Sequence, residues 1–197
     1  MDEVCQDILL LYNISRERRA KRFTSGALSL NTMKLHFRLG VEGNPEGFTS
    51  YPIRDSNRLV EEYMLLANYL VAQQLLMHCG DQALLRCHPP PPPEGLKRLK
   101  ETMAHHGMEM RTGSSGSIQA SLQRLRDTSN DQLLIQAVTT MATVPMQTAE
   151  YIAAGSKKRA EWRHYALNIP YYTHFTSPIR RYADILVHRL LTASLQG

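Results

Sequence analysis

A chain of 197 residues with 43% hydrophobic and 21% charged side chains has the make-up of an ordinary globular protein, long enough for one sizeable core or two small ones. No apolar run approaches the roughly 18 residues that a bilayer span needs, and acids in the opening MDEVCQDILLLYN stand where an export signal carries bases. The net charge of +5 is compatible with nucleic acid or a membrane surface and demands neither.

From Asp2 to Phe23, Val4, Ile8, Leu11 and Tyr12 recur at helical spacing, a basic last turn suits the helix dipole, and Gly26 ends the segment. GALSLNTMKLHFRL alternates instead. Leu28 and Leu30, then Leu35, Phe37 and Leu39, predict a half-buried strand pair with a turn at Asn31-Thr32. VEGNPEG reads as a loop and FTSYPI as a short returning strand whose Pro52 suits an edge. The clearest helix is DSNRLVEEYMLLANYLVAQQLL, capped by Asp55 or Ser56, with Leu59, Tyr63, Met64, Ala67, Leu70, Val71 and Leu75 as its core stripe. HPPPPPEG, from His88 to Gly95, is a stiff polyproline-like spacer between helices, or a ligand for a groove. Helical patterns follow at Leu96 to His106, Ile118 to Asp127, Asp131 to Ala142 and Met146 to Ala154, with RTGSSGS as a loop, a break at Val144-Pro145 and a stop at Gly155. The sum is a helix-rich α+β fold with a small antiparallel sheet near its N-terminal end. A sheet of two or three strands is too small to be a core of its own and belongs to something larger.

Bases concentrate at Arg16 to Arg22, at Lys157 to Arg163, and at Arg180, Arg181 and Arg189; taken singly, each reads as a solvated helix face. In FTSPIRRYADILVHRLL, Ser177 is a natural N-cap and Pro178 a natural first helical residue. Ile179, Tyr182, Ala183, Leu186 and Leu190 make the expected buried stripe, and Arg180, Asp184 and His188 stack on another face beside Arg181. Free N–H groups of a first turn attract an anion, and Arg180 adds a bidentate grip on phosphate. Capping plus an Arg–Asp pair explains the same residues without a ligand. Tyr165, Tyr171, Tyr172, His174 and Phe175 crowd the preceding stretch. Cations beside rings are the combination a nucleic-acid site uses, core packing is the alternative, and the residues alone leave the two balanced.

Glu61 and Glu62 are adjacent on a helix, so they point about 100° apart and cannot jointly chelate one ion; Arg58 is placed to pair with either. The histidines show no metal-ligand spacing, and the chain has no DxD or DxxD, no G-x-S-x-G and no phosphate-cradling P-loop. Two-metal phosphoryl chemistry needs converging carboxylates, so motifs alone do not support catalysis. Cys5, Cys79 and Cys87 are odd in number and none lies in a CxxC, which predicts idle or packed thiols in a reducing, cytoplasmic setting.

The stretch HYALNIPYYTHFTSPIRRYADILVHRLL, His164 to Leu191, resembles the signature of the ribonuclease II (RNB) exoribonuclease family. RFTSGALSLNTMKLHF, SNRLVEEYMLLANYLVAQQLL, ALLRCHPPPPP and VPMQTAEYIAAG resemble successive pieces of the same domain, so the likeness covers essentially the whole chain. HYALNIPYYTHF is most similar to the eukaryotic cytoplasmic, exosome-independent branch that degrades uridylated RNAs. The resemblance implies 3′→5′ processive hydrolysis of single-stranded RNA, releasing nucleoside monophosphates, with magnesium held by aspartates. It places Arg180 near the scissile phosphodiester and assigns a glutamate of the VEE motif, Glu61 or Glu62, to the terminal ribose. Tyr172, His174, Ser177 and Arg181 fall at motif positions and are expected on the RNA side. By the same resemblance the aspartate cluster lies upstream of Met1, and the cold-shock and S1 domains lie outside residues 1–197. The expectation is therefore the C-terminal portion of an RNB catalytic domain, a monomer with no metal ligands of its own and little activity in isolation. The alternatives are a non-catalytic RNA-binding module or decoy, and a truncated product.

Overall fold

A computed structural model describes residues 3–30, 35–50 and 53–196. Among these residues six α-helices dominate: α1 (Glu3–Thr24), α2 (Asp55–Cys79), α3 (Pro93–His105), α4 (Ser115–Thr128), α5 (Gln132–Thr143) and α6 (Tyr182–Gln196). Two antiparallel strand pairs complete the α+β fold. β1 (Leu35–Leu39) pairs with β2 (Pro45–Ser50), and β3 (Leu84–Cys87) pairs with β4 (Glu150–Ala153). None of the described helices is long and apolar enough to cross a membrane.

Local chemistry sets the helix ends. Ser114 caps α4, its hydroxyl accepting from the Ser117 N–H at 3.1 Å while Ser117 returns the bond. Asp131 caps α5 through the N–H groups of Leu133 and Leu134. Pro93 closes the proline run by becoming the first residue of α3, so the run joins a strand to a helix rather than two helices. At α2 the expected cap shifts by one residue. Arg54 is the N-cap, its N–H donating to the Asn57 side chain at 2.9 Å, and Asp55 and Ser56 lie inside the helix.

Where the sequence pattern misleads, tertiary contacts decide. Ala27 and Leu28 are buried but not in a strand: the Leu28 N–H donates to the Ala166 carbonyl at 2.8 Å, so the segment docks on a distant loop instead of pairing with β1. The expected turn at Asn31-Thr32 lies outside the described residues. β2 begins at Pro45, three residues before Phe48, because the hairpin closes tightly through Gly40–Asn44 with Gly43 at φ +79; Tyr51 and Pro52 again lie outside the described residues. The helix expected over Met146 to Ala154 is instead β4, which satisfies the edge of β3 and buries Ile152. Val4, Ile8 and Leu11 of α1 are exposed, so its apolar stripe is not covered by the described residues.

The core has two parts. Leu99 and Met103 of α3, Ile118 and Leu122 of α4, and Val138 and Ala142 of α5 form one cluster, which takes in Leu28. The other packs Ala72 and Leu75 of α2 against Leu85, Cys87, Ile152 and Val187 of α6. The buried face of α2 is half polar, since Glu62 and Asn68 are buried while Met64 and Leu70 of the expected stripe are exposed. Asn68 positions the site, and Glu62 ties α2 to α1.

Candidate functional site

Between β3, α2 and α6 the chain runs as an irregular strap, residues 171–177. Buried backbone outside regular structure must find partners for its polar groups, and here β3 and side chains of α2 and α6 supply several. The Tyr172 carbonyl accepts from the Arg86 N–H at 2.7 Å, and the Thr173 hydroxyl donates to the Leu84 carbonyl at 2.7 Å. Asn68 does the most. Its side-chain oxygen accepts from the N–H groups of Phe175 and Thr176, at 2.9 and 3.2 Å, and its amide donates to the Tyr172 hydroxyl at 2.8 Å. His188 of α6 stacks on Phe175, ring centroids 4.2 Å apart, and its Nε2 meets the Phe175 carbonyl at 2.9 Å.

The strap ends at Asp184, which is fully buried. Its carboxylate accepts from the Ser177 N–H at 2.7 Å and from Arg181 at Nε (2.7 Å) and Nη2 (2.8 Å). Burial pushes this carboxyl up, but the Arg181 guanidinium and the Ser177 N–H together hold it below its usual value. The expected N-cap at Ser177 is therefore corrected. Asp184 captures the Ser177 N–H, residues 177–180 form a turn with the Arg180 N–H donating to the Ser177 carbonyl at 3.2 Å, and α6 starts only at Tyr182. The expected stripe moves with it: Ile179 and Tyr182 are 96% and 69% exposed, and Asp184 and Val187 are the buried residues of α6. Asp184 pairs with Arg181, not with Arg180 as the i,i+4 spacing suggested. Arg180 is exposed and has no acidic partner among the described residues.

Beside this turn lies His174. Its Nδ1 is 2.6 Å from the Tyr151 hydroxyl, and its ring meets Tyr151 and Tyr172 edge-on, both at 5.7 Å. Tyr151 in turn lies under Arg86, its cross-strand partner, whose guanidinium is 4.7 Å from the ring centroid. Burial, followed by the positive charges of Arg181, Arg86 and Arg180, lowers the His174 pKa to about 4. Coulomb effects fade with distance and screening, so these arginines crowd one imidazole, which stays neutral near neutral pH. Behind it His164, pushed down to about 3 by burial and then by His88 and Arg86, continues the line of rings. The arrangement offers an unpaired guanidinium, a hydroxyl and aromatic edges on a fixed frame, the means to hold a phosphodiester and a base.

The structure thus brings Tyr172, His174, Ser177, Arg180 and Arg181 together. Glu61 and Glu62 belong to a separate network with α1. Glu62, 2% exposed, accepts from Arg22 at 2.5 Å and from Arg19 at 3.2 Å, and Glu61 accepts from Arg19 at 3.1 Å. Arg58 pairs with Asp55 at 3.2 Å, not with either glutamate. Among the described residues no three His, Cys, Asp or Glu side chains converge to hold a metal, so the donors present do not fit a magnesium site. Asn68, Arg86, Tyr151 and Asp184 were not anticipated as site residues. The one sequence signal for Asn68 is an amide set among the apolar residues of α2.

The RNB domain matches residues 2–197. DIS3-like exonuclease 2 of Xenopus tropicalis is 46% identical over 198 residues, covering 99% of this chain and 24% of that protein. A protein of Arabidopsis thaliana named Inactive exonuclease DIS3L2 is 41% identical over 99% of this chain and 19% of its own length. The chain spans about a quarter or less of these relatives. The fold is similar to that of Mycoplasma genitalium RNase R, solved in complex with double-stranded RNA, with a TM-score of 0.81, 24% identity, and coverage of 97% of this chain and 33% of that one. With the domain aligned along nearly every residue and close relatives over the same span, this chain belongs to the RNB family.

Proposed function

We propose that this chain is the RNA-gripping part of a 3′→5′ exoribonuclease of the cytoplasm, acting as a monomer on single-stranded RNA with uridylated 3′ ends and releasing nucleoside monophosphates. The observation that carries the reading is Arg180, exposed and without an acidic partner on a turn that Asp184 and Arg181 lock beside the neutral His174. Relatives named as exonucleases over the same residues support it. Arg180 takes two phosphate oxygens and offsets charge that develops there during cleavage. Tyr172 and His174 present ring edges to the strand. Ser177 and Arg181 position Arg180, since the Ser177 N–H and two Arg181 nitrogens are engaged by Asp184. Of the two glutamates, Glu61 keeps the freer carboxylate, its side chain 40% exposed, and is the acceptor for a terminal ribose hydroxyl. Magnesium, in this reading, is held by carboxylates outside these residues, and no step of this chain's chemistry runs through it.

Fluorescence polarisation with labelled oligo(U) at stepped salt tests the proposal. Binding should weaken steeply with salt, and Arg180→Ala should weaken it about tenfold at low salt; an affinity that ignores the substitution would sink the reading. Incubation with magnesium should leave the oligonucleotide intact, and robust trimming overturns the placement of the metal ligands. A second reading, a non-catalytic RNA-binding module or decoy, is favoured by the relative named Inactive exonuclease DIS3L2 over the same residues. A decoy shields oligo(U) from an added exonuclease in proportion to the amount bound.

A further inference from the structure

The end of α1, the middle of α2 and the segment 167–170 line an open cavity of about 280 Å³ away from the Arg180 turn. Its walls are of two kinds. Leu65, Leu167, Ile169 and Pro170, with Tyr69, make an apolar side; Arg18, Lys21 and Arg22 make a cationic side that meets the single acid Glu62. Arg22 is committed to Glu62 through two hydrogen bonds. Arg18 and Lys21 have no acidic partner among the described residues, and the Arg18 Nε is buried with no hydrogen-bond partner. A buried charged donor left unpaired is costly, and native structures supply such a group with an acceptor. Cations at a helix C-terminus are also favoured by the dipole, but that effect fades beyond the last turn, and Arg18 lies more than a turn before Thr24.

The cavity is also prebuilt. Asn168 sits at φ +55, its amide donating to the Ser25 carbonyl and its oxygen accepting from Arg163, which pins segment 167–170 to the end of α1. Tyr69 stacks flat on Tyr171, centroids 5.1 Å apart at 9°, so the aromatic wall is fixed as well. Ligand pockets run from roughly 300 to 1,000 Å³, and this one, at about 280 Å³ just under that range, has room for a single nucleotide and not for a strand.

We propose that this cavity binds a phosphate monoester joined to a flat ring, as in a nucleoside monophosphate, with the phosphate on Arg18 and Lys21 and the ring along Tyr69 and Pro170. The site lies apart from the Arg180 turn, none of whose residues lines it, and meets the exoribonuclease reading only at Glu62, whose neighbour Glu61 that reading assigns to the terminal ribose. Calorimetric titration of the purified chain with UMP, uridine and inorganic phosphate tests it. UMP should bind saturably, and uridine and phosphate at least about tenfold more weakly, because each lacks half of the recognition. Arg18→Gln should weaken UMP about tenfold. Lys21→Glu, at an exposed position that tolerates change in the fold, should weaken it by a similar factor, and both variants should keep the oligo(U) affinity of the unsubstituted chain. UMP binding that is absent at millimolar concentration, or unmoved by Lys21→Glu, overturns the site. Phosphate binding as tightly as UMP overturns the ring assignment, and oligo(U) affinity falling in step with UMP affinity overturns its independence from the RNA path.

Discussion

Two adjacent arginines meet different fates because Asp184 reaches only one of them. A carboxylate with no solvent exposure is tolerable only when its oxygens are fully engaged, and the Arg181 guanidinium and the Ser177 N–H engage both. That engagement draws Arg181 inward and turns Arg180 outward. Asp184→Ala leaves a partly buried guanidinium and a backbone N–H unpaired, and should cost about 3 kcal/mol, as broken buried ion pairs do. Urea unfolding of the two proteins measures it. Asp184→Asn keeps an acceptor for Ser177 and should lose less; equal losses in both variants would mean that charge pairing with Arg181 is the whole effect. Because the turn loosens, Asp184→Ala should also weaken oligo(U) binding without removing any RNA contact.

At the scale of elements, α2 carries the strap on one amide. Asn68→Ala abandons the N–H groups of Phe175 and Thr176 and the Tyr172 hydroxyl at once, so a loss of about 2–4 kcal/mol is expected, against about 1 kcal/mol for Tyr172→Phe, which removes one bond. Thermal or urea melts rank them, and a Tyr172→Phe penalty equal to that of Asn68→Ala would place the anchor in the ring's packing instead. The same contrast explains what the sequence revealed. Helices α3, α4 and α5 were legible because their patterns are local, but α3 and α4 begin earlier than expected, at Pro93 in the proline spacer and at Ser115 in the RTGSSGS loop. The β3–β4 pair was not legible, since Cys87 and Glu150 meet across 63 residues and each strand is only four residues long. Ser177-Pro178 reads as a cap until the distant carboxylate of Asp184 is known to take its N–H. In the site, Arg180, Tyr172 and His174 came from a motif, whereas Arg86 and Tyr151 depend on a cross-strand register that no local pattern encodes.

Across the whole molecule, a line of rings runs from Tyr165 through His88, His164, Tyr172 and His174 to Tyr151, and it sets how the fold responds to acid. His88 donates toward the Gln147 carbonyl from Nε2, at 2.8 Å, and accepts at Nδ1 from the Ala166 N–H at 3.3 Å. His164 accepts at Nδ1 from the Leu167 N–H at 3.4 Å. A proton at either acceptor breaks that bond, and burial already disfavours the charge, holding His164 to about 3 and His174 to about 4. An unfolded chain has ordinary histidines that protonate near pH 6.5. Below that pH the unfolded state takes up protons that the folded state refuses, so stability falls as pH falls, through about 4 for His174 and about 3 for His164. Asp184, held below its usual value, loses its own contribution in the same direction at the acid end. Thermal melts at several pH values between 7.5 and 4 should therefore show a midpoint that drops on acidification, and the double variant His164→Gln, His174→Gln should show a shallower slope across that range. An unchanged slope would assign acid sensitivity to other groups. In NMR titrations the His174 ring should keep its neutral signature down to about pH 4, so that near neutral pH the arginine cluster, not the imidazole, carries the positive charge of the proposed RNA site.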